Sequence, residues 1–337
     1  MIDYVVSTLT LGVIWCIFTY AVNVTWGWTG QLDLAPFLFI ALGAYVYSVI
    51  VGPPPNAGPS VQWILGLRLP FAFGLVGSIV VGAASALVLG GIALRRLRDD
   101  YFAITTVVAT LTIYAFIAQF VPLFDGYTGV YGVPKPLIDV LNLSSSAYQA
   151  FFLVLCLVAL GVVYLVMERI FKSPYGRLLR AVREDDVAAA AFGRDVYRVK
   201  LRAYVISGAI AGLGGGLLAA FLDAFNPYAW SAGETFLIYA AIFVGGSGNN
   251  RGVLVGSFFI AVVVQELTRL LVVIPGHPDA AAALRYMIVG VLIIGILWWR
   301  PEGLLPEPRD RDPLAPPDPG GQPDPATAAR SIEAGRG

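Results

Sequence analysis

Ionisable and amide side chains are scarce in this sequence, and the few that stand inside apolar runs are where chemistry could occur. Asp33 lies in GQLDLAPFLFIALGAYVYSVI, Asp223 and Glu234 flank a loop, and Glu168 ends an apolar run. Gln265, Glu266 and Arg269 share one helical face at three- and four-residue spacing. In lipid, a charged group costs about 3 kcal/mol on insertion scales, so each is a candidate for handling a polar solute or for pairing helices. Plainer roles fit as well. Glu266 with Arg269 suits an ion pair near an interface, Asp33 suits a cap on the helix after it, and Glu168, Asp223 and Glu234 suit solvated helix ends. These residues do not assemble into a catalytic or metal centre. His277 is the single histidine and has no ligand companion, while Cys16 and Cys156 fall in apolar runs and read as small apolar side chains. The sequence has no G-x-x-x-x-G-K-[ST] phosphate loop, no H-E-x-x-H and no G-x-S-x-G. Moving a solute is a better expectation than transforming one.

The elements that must position these groups are apolar helices. Of the 337 residues, 58% are hydrophobic and 13% charged, with a mean hydropathy of +0.75; a soluble domain carries about 25% charged residues. Basic and acidic residues balance at 22 each, which gives no reason to expect a nucleic-acid partner. A bilayer-crossing helix needs roughly 20 apolar residues. Runs of about that length fall near 4–25, 30–50, 70–94, 101–122, 148–167, 203–222, 253–274 and 284–299, with a shorter one at 235–244. The start, MIDYVVSTLTLGVIW, has no basic residue ahead of its apolar ones, so it reads as a first span and not as a cleaved signal. Trp26 and Trp28 at its end suit a membrane interface. Gly208, Gly212 and Gly216 recur every four residues and predict a close helix-packing seam. Residues 301–337 hold nine of the 22 prolines and few apolar clusters, so they are expected to form a disordered tail beyond a membrane domain over 1–300.

One charged stretch separates two of these spans. From Arg169 to Arg202 there are nine basic residues and four acidic ones. Basic short segments at 95–98, 169–202, Arg251 and beyond Arg300 alternate with poorly basic ones at 52–68, 123–147, 223–233 and 275–284. Positive-inside bias then predicts nine spans, eight to ten if the short run is a broken helix, with the N-terminus outside and the C-terminus cytoplasmic. Inside the stretch, Ser173-Pro174 opens a helix. Leu178, Val182, Ala188, Ala189 and Phe192 line one broad face, and Gly193 is a natural stop. The reading is one helix of about 20 residues, followed by a short element over 195–200. Such a helix can lie on anionic lipid or insert into a cytoplasmic protein, and its composition fits both.

The residues Gly176 to Ala219, GRLLRAVREDDVAAAAFGRDVYRVKLRAYVISGAIAGLGGGLLA, resemble the signature of LivM/LivH-type permeases of branched-chain amino acid ABC transporters. The matching positions are Gly176-Arg177, Ala181, Arg183-Glu184, Gly193, Lys200 and Ala211-Gly212-Leu213. Four more stretches agree in order: GQLDLAPFLFIALGAY (30–45), LRDDYFAITTVVATL (97–111), FVGGSGNNRGVLVG (243–256) and RPEGLL (300–305). The loop TGVYGVP (128–134) is similar to the LivM type. The pattern departs at Asp33-Leu34-Ala35-Pro36, where the family usually carries Ser-Leu-Gly-His.

The resemblance implies an all-α polytopic membrane protein of the bacterial inner membrane, serving as the permease subunit of an ATP-driven importer for branched-chain or related amino acids. It also implies partners: ABC ATPase subunits that bind the ATP and Mg, a LivH-like second permease or a second copy, and a periplasmic binding protein. Gly176, Arg177, Arg180, Ala181, Arg183, Glu184, Asp185, Gly193 and Lys200 would then form the segment that couples to the ATPase. Helix-break position and polarity mark Gly30, Gln31, Asp33, Tyr45 and Thr105 as a pathway lining. The same family carries urea, short amides and, more distantly, sugars. A self-sufficient secondary transporter is the rival reading, and it would favour a buried ionisable relay that this sequence lacks.

Overall fold

The computed structural model describes residues 2–53, 66–95, 99–138, 143–227, 232–264, 279–300 and 302–307. The Gln265, Glu266 and Arg269 face, His277, residues 96–98 and the chain beyond 307 lie outside the described residues.

Helices carry the fold. In chain order they are α1 (Ile2–Val22), prolonged by a π-helical turn over Asn23–Gly27, then α2 (Pro36–Val51), α3 (Phe71–Ala93), α4 (Asp99–Gln119), α5 (Val121–Phe124) and α6 (Ser145–Lys172). After them come α7 (Pro174–Glu184), α8 (Asp186–Ala191), α9 (Val196–Leu222), α10 (Ala232–Gly245), α11 (Asn250–Phe258) with a second π turn over Phe259–Val264, and α12 (Asp279–Trp299). Five of these are long and apolar enough to cross a membrane, and four shorter apolar helices accompany them, within α2, α10, α11 and α12. The chain is therefore an all-α multi-pass membrane protein.

The central element is α9, which packs chiefly against α3 and α2, with α1 alongside. Lipid offers apolar side chains nearly the same surroundings as a neighbouring helix, so close backbone approach must hold such helices together. Glycine makes that approach possible here. A Cβ on Gly208 would stand 2.5 Å from the Gly82 carbonyl oxygen, one on Gly212 2.2 Å from that of Ser78, and one on Gly216 2.5 Å from Ser78 Oγ. Across the other flank, a Cβ on Gly43 would meet the Gly212 carbonyl oxygen at 2.3 Å. Ser78 Oγ lies between the helices and donates to the Gly43 carbonyl at 2.8 Å.

Several boundaries differ from the sequence expectation, each for a local reason. The basic segment is two helices, not one. Asp185 is extended at φ −155°, and its carboxylate accepts the Ala188 amide at 2.8 Å, so it caps a new helix instead of continuing the old one. Phe192 is 86% exposed, whereas Leu179, Val182 and Ala189 make the buried face. The expected short element over 195–200 belongs to α9, whose first turn is capped by Asp195 accepting from the Arg198 amide at 3.0 Å. Trp26 and Trp28 pack against neighbouring aromatic rings. Trp28 is buried with its ring 5.5 Å from that of Phe171, and Trp26 lies against Tyr239 and Phe243. The second span begins at Pro36 instead of Gly30, which leaves residues 30–35 as a non-helical loop.

Two short strands, β1 (Val130–Tyr131) and β2 (Ala224–Phe225), pair antiparallel and tie the chain after α5 to the chain after α9. At the C-terminal side the compact unit that holds the helices includes residues up to Glu307. The reason is hydrogen bonding: Leu304 and Leu305 donate their amides to the Val244 and Gly245 carbonyls at 2.9 and 3.0 Å.

Gly212→Val should therefore force α3 and α9 apart and cost about 3 kcal/mol. Gly161→Ala in α6, where a Cβ meets nothing within 4 Å, should change stability by no more than about 0.5 kcal/mol. Thermal unfolding of the two purified variants in one detergent checks the contrast.

Candidate functional site

The five motif stretches lie far apart in sequence, and four of them converge at the end of the bundle that carries α7 and α8. The convergence starts from the frayed end of α1. Its π turn shifts the bonding of the last carbonyls. Thr25 O accepts the Gln31 amide at 2.9 Å, six residues on, while Trp26 O accepts the Gly30 amide at 3.0 Å with ordinary helical spacing. Gly27 O accepts from Arg183 Nη1 of α7. Arg183 Nη2 reaches Glu307 Oε2 at 2.6 Å, so one guanidinium joins α1, α7 and the C-terminal segment. Its planar fork suits two acceptors at once.

The turn between α10 and α11 completes this junction. Gly246 and Gly248 take φ of +108° and +81°, conformations open to glycine, and a Cβ on Gly246 would stand 2.2 Å from the Leu305 carbonyl oxygen. The Gly248 amide donates to Asn23 Oδ1 at 3.0 Å. Asn249 caps α11 and donates to the Pro306 carbonyl at 2.8 Å. Asn250 donates to Glu168 Oε2 at 2.8 Å, and Tyr20 donates to the Asn250 carbonyl at 2.5 Å. Glu168, a helix-end candidate, is thus bound to this turn and to Lys172 at 2.8 Å.

Beside the junction, the loop 30–35 enters the bundle. Burial alternates along it: Gln31, Asp33 and Ala35 are buried, while Gly30, Leu32 and Leu34 are at least partly accessible. A period of two places the three buried positions on one side. Asp33 is 0% exposed. Its Oδ1 accepts the Ala35 amide at 2.9 Å and the Tyr204 hydroxyl at 3.2 Å. Tyr239 brackets its backbone, accepting from the Asp33 amide at 3.1 Å and donating to the Asp33 carbonyl at 2.5 Å. Thr106 of α4 accepts the Leu34 amide at 3.0 Å. Asp33 Oδ2 and both amide atoms of Gln31 are buried without a hydrogen-bond partner among the described residues.

The expected site residues divide accordingly. Gln31 and Asp33 share this buried loop and Gly30 lies at its mouth, with its would-be Cβ 3.1 Å from Arg183 Cγ. Thr105 turns away and bonds the carbonyl of Tyr101, and the next residue, Thr106, reaches the loop instead. Tyr45 stands nine residues into α2, about 14 Å along the axis, stacked on Phe124 at 4.4 Å. In the basic segment, Arg177, Ala181, Glu184, Asp185 and Gly193 are exposed. Gly176, Arg180, Arg183 and Lys200 face inward: Gly176 is buried, Arg180 lies 4.8 Å over the Phe171 ring, and Lys200 bonds Asp186 at 3.1 Å. Tyr204, Tyr239, Asn23 and Glu307 escape the sequence reading. Phenol groups in otherwise apolar spans were the available signal for the first two. Among the described residues no group of His, Cys, Asp and Glu could hold a metal ion.

A bundle of apolar helices with a buried polar loop and an anchored basic segment beside it is the architecture of a membrane permease. The comparisons identify the family. Residues 4–297 match the family model for the permease component of the branched-chain amino acid transport system, and the chain belongs to that family. It is 30% identical over 324 residues to the high-affinity branched-chain amino acid transport system permease protein LivM of Escherichia coli, covering 90% of this chain and 70% of that one. A Methanocaldococcus jannaschii protein carrying the name branched-chain amino acid transport permease LivH is 28% identical over 204 residues, 60% of this chain and 62% of that one. The guanosine ABC transporter permease protein NupQ of Bacillus subtilis is 28% identical over 141 residues, 42% of this chain and 43% of that one. No solved structure matches.

Removing the Arg183 guanidinium leaves the buried Gly27 carbonyl and Glu307 without their donor, which costs about 1–3 kcal/mol. Arg183→Ala should also release residues 302–307, seen as faster cleavage after Glu302 by a glutamate-specific protease in the folded protein. Glu307→Gln, which keeps an acceptor, should do less on both measures.

Proposed function

We propose that this chain is the membrane-spanning subunit of an ATP-driven importer for branched-chain or related amino acids, with its N-terminus outside and its C-terminus cytoplasmic. ATP and Mg are bound by separate ATPase subunits, since the 337 residues contain no phosphate loop. A LivH-like permease or a second copy completes the membrane part, and an external binding protein delivers the substrate. The family membership and the names of the LivM relatives support the substrate class.

One observation carries the coupling role: the two faces of the segment 174–193. Its outer face presents Val187 at 75% and Phe192 at 86% exposure, among the charged and exposed Arg177, Glu184 and Asp185. Its inner face is tied to the bundle through Arg183 and through Lys200 with Asp186. A segment anchored behind and apolar in front suits insertion into a partner that pulls on it. Lipid adsorption would set its basic side chains and its apolar ones toward one interface, whereas here Arg183 and Lys200 are turned inward. Closure of the ATPase on ATP would then shift α7 and α8 as a unit. Because Arg183 holds Gly27, that shift reaches the loop 30–35 directly.

Burying a phenylalanine side chain contributes about 2 kcal/mol, or roughly 30-fold in affinity. Phe192→Asp with Val187→Asp should lower ATPase binding by at least that factor, measured by titrating the purified ATPase onto the permease in nanodiscs. Its own unfolding temperature should stay unchanged. Undiminished ATPase binding would remove the coupling assignment.

A further inference from the structure

The pair Gln31 and Asp33 goes unexplained by packing. Asp33 is an acid at 0% exposure and Gln31 an amide at 1%. A buried polar atom without a partner costs about 1–3 kcal/mol, and such atoms are few in folded proteins. Here three occur within three residues: Gln31 Oε1, Gln31 Nε2 and Asp33 Oδ2. Capping α2 does not account for them. That helix starts on Pro36, and Asp33 Oδ1 alone serves the Ala35 amide. The Tyr204 hydroxyl also goes to Oδ1, which leaves Oδ2 buried with nothing bonded to it among the described residues. Serine or alanine at position 33 would fill this position with less to satisfy.

The three atoms have a definite chemistry. Asp33 Oδ2 and Gln31 Oε1 are acceptors, one of them on a carboxylate, and Gln31 Nε2 is a donor. Two acceptors two residues apart, one of them acidic, suit an alkylammonium group, and a donor on the same pair suits a carboxylate oxygen. We propose that Gln31 and Asp33 form a subsite for the ammonium end of a zwitterionic amino acid, covered in this arrangement and uncovered when α7 moves. The means of uncovering lies beside the loop: Arg183 of α7 holds Gly27 and lies against Gly30, the residue that opens it. The loop itself stays pinned to α4 and α10 through Thr106 and Tyr239, so lifting α7 changes its access without dismantling it. The subsite rests on the transport reading above and adds to it a residue that selects by charge.

The test uses the assembled importer in proteoliposomes: this chain with its second permease, ATPases and binding protein. The probe is a leucine analogue bearing a photoreactive diazirine on its side chain, beside the same diazirine acid lacking the amino group. ATPase turnover is arrested with vanadate, the sample is irradiated, and labelled peptides are mapped. The expected result is labelling of residues 30–35 or of Tyr204 and Tyr239 by the amino acid only. Asp33→Asn should cut that labelling, and the substrate moved per ATP, at least about tenfold, as loss of one charge-assisted contact does. The unfolding temperature of the assembled variant should stay near its original value, which a merely structural loss would lower. Asp33→Ser, a smaller replacement checked for intact assembly by size-exclusion chromatography, should behave like Asp33→Asn. Equal labelling by the amine-free acid, or labelling and coupling unchanged in both variants, overturns the subsite alone. A failure of the unmutated assembly to take up the leucine analogue, with its ATPase active, overturns the substrate reading and this inference with it.

Discussion

The end of α1 sets the terms for everything around it. A helix that stops inside a bundle leaves carbonyls without donors, and in surroundings poor in water each must be satisfied by protein. The chain over 28–31 donates to three of them: the Trp28 amide to Asn23 O, the Gly30 amide to Trp26 O and the Gln31 amide to Thr25 O. Gly27 O is left for the one long donor that can reach it, Arg183. Once that guanidinium is committed, α7 cannot drift from α1, and Glu307 is drawn in to balance the charge. The basic segment, the loop 30–35 and the C-terminal strap are thus consequences of one unfinished helix end.

The rest of the bundle supplies a rigid frame for that junction. At Gly43, Gly82, Gly212 and Gly215 the contacts among α2, α3 and α9 are backbone against backbone, with no side chain at those points that could repack. Such a seam resists sliding better than interdigitated leucines would, because there is no alternative rotamer to adopt. Under the proposed coupling, motion delivered to α7 would therefore be spent on the loop and on α1's π turn, where the hydrogen bonding is already irregular. Irregular turns of this kind recur at functional positions in helices.

Much of this was legible in the chain itself. The four-residue glycine spacing of α9, the lone acid in an apolar run at Asp33 and the charge asymmetry of 169–202 are local patterns, and local patterns survive in one dimension. Asp185 as the cap of α8 was also readable, since an acid followed by a run of alanines is a helix start as much as a helix interior. What was hidden is pairing at long range. Arg183 meets Gly27 across 156 positions and Glu307 across 124, and nothing in the composition of any of these segments names the others. The same holds for Tyr204 and Tyr239, whose rings suit an apolar helix and whose hydroxyls matter only because Asp33 lies between them. Thr105 and Thr106 show the narrowest case. One residue of phase decides which of two adjacent threonines turns toward the loop.

The C-terminal strap has a bearing on how the molecule is made. Chains emerge from the ribosome N-terminus first, so α1 and its open carbonyls exist long before Glu307 does. Until the strap over 302–307 arrives, Arg183 lacks its carboxylate and the Gly246 turn lacks the backbone it packs against. The face that would receive force is thus completed only by the last part of the bundle to be synthesised. A truncated or stalled chain would hold most of its helices and still present a loose, ungripped α7.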